Sequence, residues 1–119
     1  PHCLPKGFVQ ANGRAGLVRK RLGKGQIIYS AAPLMPATLL RNILRDSGVH
    51  LYCEEDCLIY ANSRFVGVGA RRDGTIAIRL PQTMRVSDPL SREDLVEGEL
   101  VELTMRYGEF RYLRLDSVE

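Results

Sequence analysis

Arg72-Asp73-Gly74-Thr75-Ile76-Ala77-Ile78-Arg79-Leu80 is the stretch that decides the fold class of the second half of the chain. An Asp-Gly pair favours a hairpin turn, because such turns need positive φ values that glycine adopts without strain. From Thr75 to Leu80 apolar and polar residues alternate, which is typical of a strand with one buried face. The stretch therefore predicts a hairpin turn at 72–74 and an antiparallel strand after it.

Short strand-like runs continue on both sides of this stretch, separated by turn residues at intervals of roughly ten residues. The predicted strands are 49–53, 57–61, 64–70, 75–80, 84–87, 99–106 and 110–115. Repeated short strands with turns between them are typical of a small antiparallel β domain. We therefore predict that residues 49–119 form a small antiparallel β-sandwich domain.

The segment before residue 49 shows the pattern of a helix. Pro36 suits the first turn, where its missing N–H costs nothing, and Gly48 is placed to cap the C-terminus. One apolar stripe faces a core and is formed by Leu39, Leu40, Ile43 and Leu44. We predict a helix over 36–47 and a domain boundary near Gly48.

Two strands are predicted before this helix. Gly23-Lys24-Gly25 predicts a turn between the runs 15–21 and 26–30, which makes a hairpin of the two. The run 26–30 contains β-branched and aromatic residues in a short continuous run, as in a strand of an α/β sheet that is buried on both faces. The chain as a whole is therefore predicted to be α+β, with 1–48 as one part and 49–119 as the other.

Composition and charge favour a globular protein without a nucleic-acid or membrane partner. The net charge is +3, and the basic residues are spread along the chain, with Arg111 and Arg114 flanking Tyr112. Nucleic-acid binders cluster such charge on one face, so we interpret these side chains as solvated strand faces. The chain contains no apolar run of roughly 18 residues, the length that predicts a membrane-spanning helix.

The three cysteines, Cys3, Cys53 and Cys57, do not form the even set that is usual in a secreted disulfide scaffold. Reduced thiols in a cytoplasmic protein are the favoured interpretation, although the compartment stays open. Cys53 and Cys57 have a spacing found in zinc sites, but the second pair of ligands is missing. We predict no metal site.

No motif predicts catalysis or a cofactor. The carboxylates of Glu54-Glu55-Asp56 and Glu93-Asp94 lie in predicted turns, without an apolar context that would raise a pKa. His2 and His50 are the only histidines, and His50 is interpreted as an edge residue. Gly23-Lys24-Gly25 leads into a strand, whereas a phosphate-binding loop leads into a helix.

Four residues are candidates for a contact surface: Tyr52, Tyr60, Asn62 and Phe65. Aromatic and amide side chains in this arrangement could face a sugar or a protein partner. The competing interpretation is an ordinary strand tyrosine followed by an Asn-Ser turn. Exposed and coplanar rings would favour a binding surface, whereas rings in the core would favour packing.

The chain begins at Pro1, and its first methionine is Met35. We therefore expect it to be the C-terminal part of a longer polypeptide.

Several motifs resemble the C-terminal region of multi-domain β-galactosidase-like glycoside hydrolases. The segments that carry the likeness are Gly23–Ser30, Pro36–His50, Leu58–Phe65, Thr75–Pro81, Val86–Asp88 and Glu109–Arg114. Among them, Tyr60-Ala61-Asn62 and Ile78-Arg79-Leu80-Pro81 are the most distinctive. In this family a catalytic (β/α)₈ barrel is followed by a flavodoxin-like, amidotransferase-like trimerisation domain and a small β domain.

The resemblance implies a fold and a role. Residues 1–48 would be the last strands and helix of the flavodoxin-like domain, and 49–119 the β-sandwich. The catalytic glutamates of the family lie on the barrel, so this chain would be a non-catalytic accessory region of a glycosidase. Its partners would be the upstream barrel and other subunits of a homo-oligomer, with carbohydrate bound by the parent enzyme. The alternative is a stand-alone carbohydrate- or protein-binding β module.

Overall fold

The computed structural model describes residues 4–8 and 15–118. The elements in these ranges are β1 (Leu4–Phe8), β2 (Ala15–Leu22), β3 (Gly25–Ser30), α1 (Ala37–Asp46), β4 (Cys57–Ala61), β5 (Phe65–Ala70), β6 (Gly74–Ser87), β7 (Asp94–Met105) and β8 (Phe110–Ser117). The strands form two antiparallel sheets, and the chain divides into two compact units, Pro1–Ile43 and Leu44–Glu119. The described protein is therefore mostly β, with one helix.

The first unit contains a three-stranded sheet of order β1-β2-β3. Strands β2 and β3 form the hairpin that the glycines predict, with Leu22 opposite Gly25 and Gly23 at a φ of +58°. Two large side chains of β3, Ile27 and Tyr29, are exposed. Strand β3 therefore does not have the two buried faces predicted for it.

The prediction of a flavodoxin-like domain for 1–48 is wrong. A flavodoxin-like sheet is built from parallel strands, which need a long crossover between consecutive neighbours. Here β1, β2 and β3 pair antiparallel in chain order. The short turn at Gly23-Lys24-Gly25 is the physical reason, because so few residues can only reverse the chain into an antiparallel partner.

Helix α1 lies within the predicted 36–47 and ends as its sequence suggests. The Gly48 N–H donates to the Arg45 carbonyl at 3.0 Å, and the Val49 N–H donates to the Leu44 carbonyl at 3.0 Å. These two bonds satisfy carbonyls at the helix C-terminus. They require the left-handed φ of +79° at Gly48, which glycine adopts without strain.

The second unit is one five-stranded antiparallel sheet of order β4-β5-β8-β6-β7. The hairpins β4–β5 and β6–β7 are each formed by strands adjacent in sequence, and β8 lies between them. Consequently the turn at 71–73 joins β5 to a strand that is not its neighbour, and the predicted hairpin at 72–74 is wrong. Asp73 instead fixes a corner, because its Oδ1 accepts the Tyr107 N–H at 2.7 Å.

The prediction of a β-sandwich for 49–119 is also wrong, because the strands belong to a single sheet. Residues 75–80 and 84–87, predicted as separate strands, are parts of the continuous 14-residue β6. The pairing of β6 with β7 shifts register between Arg79 and Met84, and only Met84–Ser87 of β6 also pairs with β8. Pro81 lies at this irregularity, where a missing N–H is tolerated.

One apolar cluster forms the core of the second unit. It contains the inward side chains of β5 and β8 together with those of β6 and β7. Its buried members are Cys53, Val66, Val68, Ala70, Ile76, Ile78, Leu80, Met84, Val86, Val101, Leu103, Met105, Leu113 and Leu115. The opposite face of the sheet is left to form a surface.

The segment 49–53, predicted as a strand, is irregular but is held against β6. The Arg79 N–H donates to the Tyr52 carbonyl at 2.7 Å, and the His50 Nε2 lies 2.8 Å from the Arg79 carbonyl oxygen. Since a carbonyl only accepts, the His50 ring donates this bond. Cys53, the last residue of this segment, is buried in the core.

Candidate binding face

An apolar surface lies on the outer side of β4, β5 and β8. Val66, Val68 and Ala70 of β5 point into the core. Because side chains alternate along a strand, the intervening residues of β5 lie on the outer side. The large apolar and aromatic side chains on the outer side of the three strands are all exposed, and we call them the aromatic face: Leu58, Tyr60, Phe65, Phe110 and Tyr112.

Two glycines of β5 form the floor of the aromatic face. Gly67 pairs with Tyr60 on β4 and with Tyr112 on β8. Gly69 pairs with Leu58 and Phe110 in the same way. Each row across the three strands therefore has a glycine in the middle and large side chains at both ends.

The Phe110 ring occupies the space that the glycines leave. A Cβ built on Gly67 would lie 3.0 Å from the Cε1 and Cζ atoms of Phe110, and one built on Gly69 would lie 3.0 Å from its Cδ2. The ring thus lies against the backbone of β5. A side chain at either glycine would displace it.

The rings of the aromatic face touch but do not share a plane. Phe110 and Tyr112 have centroids 5.0 Å apart and planes inclined by 57°, and Tyr60 and Phe110 have centroids 6.3 Å apart and planes inclined by 43°. Tyr60 is 67% exposed. The face is therefore an exposed, uneven cluster centred on Phe110, not a flat platform.

The four predicted contact residues have different environments. Tyr60 and Phe65 belong to the aromatic face. Tyr52 does not, because it packs against the core and contacts the His50 ring edge-on at a centroid distance of 4.8 Å. Asn62 closes the β4–β5 turn, where its Oδ1 accepts the N–H groups of Arg64 and Phe65, each at 2.8 Å.

Sequence analysis missed Leu58, Phe110, Tyr112 and the two glycines. The alternation Val66-Gly67-Val68-Gly69 contains a usable signal, since small residues on one face of a strand mark a close approach by another group. That signal does not tell which residues approach. Phe110 and Tyr112 become neighbours of the glycines only because β8 lies beside β5.

Charged side chains of the second unit form ion pairs, of which Asp88–Arg111 is largely shielded from solvent. Asp88 has its pKa lowered, first by the N–H groups of Leu90 and Ser91 that donate to its Oδ1 and then by the Arg111 guanidinium. The Asp88 Oδ2 lies 3.5 Å from Arg111 Nη2. These contacts hold the turn before β7, in which the charged Asp88 carboxylate accepts the two backbone N–H groups.

A groove of about 530 Å³ lies beside this turn, but it has no charge preference. Its charged lining consists of three arginines and three aspartates: Arg85, Arg92, Arg114, Asp88, Asp94 and Asp116. Within it Arg114 pairs with Asp116 at 3.1 Å. Because the opposite charges balance, the groove gives no specific reason to bind an anion or a cation.

The ranges 4–8 and 15–118 contain no group of three or more His, Cys, Asp or Glu side chains arranged to hold a metal ion. In the part of the chain whose side chains are described, no polar or charged residue is buried. Within the same part, no helix is long and apolar enough to cross a membrane. We take the aromatic face as the candidate binding site.

The resemblance to β-galactosidase-like hydrolases is supported only by the sequence motifs described above. The chain matches no protein-family model, no curated protein and no solved structure.

Proposed function

We propose that residues 44–119 act as a non-catalytic accessory module that docks through the aromatic face onto another protein surface. The observation that supports this proposal is the exposed cluster of Tyr60, Phe110 and Tyr112 beside Gly67 and Gly69. Contiguous exposed apolar surface is typical of interaction sites, and aromatic residues are enriched at the centre of protein interfaces.

The geometry of the rings favours a protein over a carbohydrate as the occupant. A sugar chain stacks best on aromatic rings that present one continuous plane. Here neighbouring planes are inclined by 43° and 57°. An uneven apolar surface suits a protein partner, whose side chains can fill the spaces between tilted rings.

The motif likeness supplies the identity of the proposed docking partner. Tyr60-Ala61-Asn62 and the run ending at Pro81 resemble the C-terminal β region of β-galactosidase-like glycoside hydrolases. The proposed role is therefore that of an accessory region, which packs on the parent hydrolase or its oligomer and supports the rim of an active site formed elsewhere. Fold likeness alone does not assign the activity of a parent, so this step rests on the motifs.

The first test identifies the polypeptide that carries the module in its source cells. An antibody against residues 44–119 is used to detect and purify the native protein. We expect a band well above the 13.4 kDa of this chain and hydrolysis of a chromogenic β-galactoside by the purified material. A native band at the mass of this chain would contradict the accessory role.

The second test measures docking itself by hydroxyl-radical footprinting of tyrosines. Tyr60 and Tyr112 should be oxidised in the recombinant 119-residue chain and protected in the native protein. Tyr107, which is 76% exposed on the β7–β8 turn and lies outside the aromatic face, is the matched control and should react equally in both. Equal oxidation of all three tyrosines in the native protein would mean that the face is not docked.

Carbohydrate binding is the second candidate, favoured by the row Tyr60-Gly67-Tyr112, in which tyrosines flank an open backbone floor. Affinity electrophoresis of the 119-residue chain in polysaccharide gels distinguishes the candidates. Retardation that is lost in Tyr60→Ser but kept in Tyr107→Ser would support carbohydrate binding. Unchanged migration in every gel would favour docking to protein.

A further inference from the structure

The two cysteines that flank the loop before β4 have sulfur atoms in direct contact. Cys53 Sγ and Cys57 Sγ are 2.9 Å apart, and neither cysteine is part of a disulfide. We propose that Cys53 and Cys57 are a modification site, which a low-molecular-weight disulfide such as oxidised glutathione converts into a reversible intramolecular disulfide. Bond formation requires little backbone movement, since the side chains already point at each other.

The backbone holds the loop in the conformation that brings the thiols together. The Cys57 N–H donates to the Glu55 carbonyl at 3.0 Å, and the Glu55 N–H donates to Cys53 Sγ at 3.4 Å. The loop is thereby a tight turn whose two ends meet.

Each acidic residue of the loop also faces an arginine. The pairs are Arg45–Glu54 at 2.8 Å, Arg71–Asp56 at 3.8 Å and Arg72–Glu55. Exposed ion pairs contribute little individually, but three of them on one short loop restrict its movement together.

The two thiols differ in exposure, which sets the order of the exchange. Cys53 is 8% exposed and belongs to the core, whereas Cys57 is only half-buried. The Cys57 thiolate therefore attacks one sulfur of oxidised glutathione, forming a mixed disulfide and releasing one glutathione thiolate. The Cys53 thiolate then attacks Cys57 Sγ, forming the intramolecular bond and releasing the second glutathione thiolate.

The exchange is balanced. The two cysteines lose two electrons and two protons, and one molecule of oxidised glutathione gains them as two molecules of glutathione. Reduction by excess glutathione runs through the same mixed disulfide in reverse.

The bond would stabilise the second unit at the edge of its sheet. It closes a five-residue ring, which restricts the unfolded chain, and it joins the buried Cys53 to the start of β4. Strand β4 carries Leu58 and Tyr60 of the aromatic face. We expect the melting temperature of the oxidised protein to exceed that of the reduced protein by about 5–10 °C.

The test uses the full chain with the substitution Cys3→Ser, which leaves Cys53 and Cys57 as the only thiols. The protein is equilibrated in buffers of increasing oxidised-to-reduced glutathione ratio, alkylated and digested with trypsin. Cleavage after Arg45 and Arg64 yields a peptide, 46–64, that contains both cysteines. We expect this peptide to become resistant to alkylation, with a mass about 2 Da below its reduced form because two hydrogens are lost.

The control variant is Cys3→Ser with Cys57→Ser, chosen because Cys57 is half-buried and its replacement leaves the core intact. Its melting temperature should not respond to the glutathione ratio. Three outcomes would overturn the proposal: alkylation of both cysteines at every ratio, accumulation of glutathione adducts without the bridged peptide, or disulfide-linked dimers in place of it. A bridged protein that melts no higher than the reduced one would overturn the stabilising effect.

Discussion

The Phe110 ring packs against Gly69, so that a Cβ on this glycine would lie 3.0 Å from the Cδ2 atom of the ring. The same Cβ would lie 3.2 Å from Leu58 Cβ. Leu58 Cβ is fixed by the pairing of β4 with β5, whereas the exposed Phe110 ring can move. Gly69 is therefore confined on two sides, one rigid and one adjustable.

Replacing Gly69 with alanine should lower the free energy of unfolding by about 1–3 kcal/mol, because overpacked positions force neighbours to shift. Urea denaturation of the 119-residue chain, followed by circular dichroism, measures the change. Gly98→Ala is the matched control on β7, where a Cβ would meet nothing within 4 Å. We expect the control to be neutral or to stabilise by up to about 1 kcal/mol. Equal behaviour of the two variants would contradict the packing of Phe110 on β5.

Gly67→Ala should cost less than Gly69→Ala, because only the adjustable Phe110 ring lies within 3.4 Å of the new Cβ. Combining each substitution with Phe110→Ala in a double-mutant cycle separates the two contacts. Removal of the ring should abolish the cost at Gly67 and leave part of the cost at Gly69, where Leu58 remains. Identical rescue at both glycines would show that Leu58 does not limit the space.

The local pattern of the sequence predicts single strands but not their order in the sheet. The alternation in β6 correctly places Ile76, Ile78 and Leu80 in the core, because it depends only on the two-residue period of a strand. The neighbours of β5 could not be predicted from such a pattern, since Val66 pairs with Leu113, which is far along the chain. Asp73-Gly74 is an example. This motif is typical of hairpin turns, but here β8 lies between β5 and β6, so the motif forms a corner instead.

The aromatic face illustrates the same limit. Tyr60 and Phe65 could be proposed from a short segment, because both lie beside the β4–β5 turn. Phe110 and Tyr112 could not be proposed in this way, since only the pairing of β5 with β8 brings them beside Gly69 and Gly67. The prediction for the first unit failed for a further reason. The three consecutive large side chains Ile27, Ile28 and Tyr29 suit a buried central strand as well as the exposed edge strand that β3 is.

Truncation of Ile78 should destabilise the second unit strongly. Ile78 is fully buried and pairs with the buried Val101 on β7. Ile78→Ala leaves a cavity in the core, for which we expect a loss of about 2–5 kcal/mol in the free energy of unfolding. Leu100→Ala, on the exposed side of β7, is the control and should cost well under half as much. Denaturant midpoints of the two variants provide the comparison.

Asn62 should matter for the turn that it closes. Asn62→Ala removes the acceptor for the N–H groups of Arg64 and Phe65, so we expect a loss of about 0.5–2 kcal/mol, comparable to that of other side-chain caps. Asn62→Asp keeps an acceptor oxygen at the same position and should retain most of the stability. If both variants were as stable as the parent chain, the turn would not depend on this side chain.

The stability of the second unit should fall with acid in a manner that depends on Asp88. N–H groups of Leu90 and Ser91, and then Arg111, stabilise the charged form and lower its pKa in the folded state from the ordinary value of 3.8. A lowered folded pKa means that the unfolded chain binds the proton first, so the contribution is fully present above the ordinary pKa. It is lost as the pH falls from there through the folded pKa.

Asp88→Asn tests this dependence while keeping the Oδ1 acceptor that the two N–H groups need. The difference in unfolding free energy between the parent chain and the variant should be constant above the ordinary pKa of Asp88 and should shrink below it. Because part of the difference comes from the ion pair with Arg111, added salt should reduce the difference at neutral pH. A difference that stays the same down to the most acidic pH at which the protein folds would show that the charge of Asp88 does not stabilise this turn.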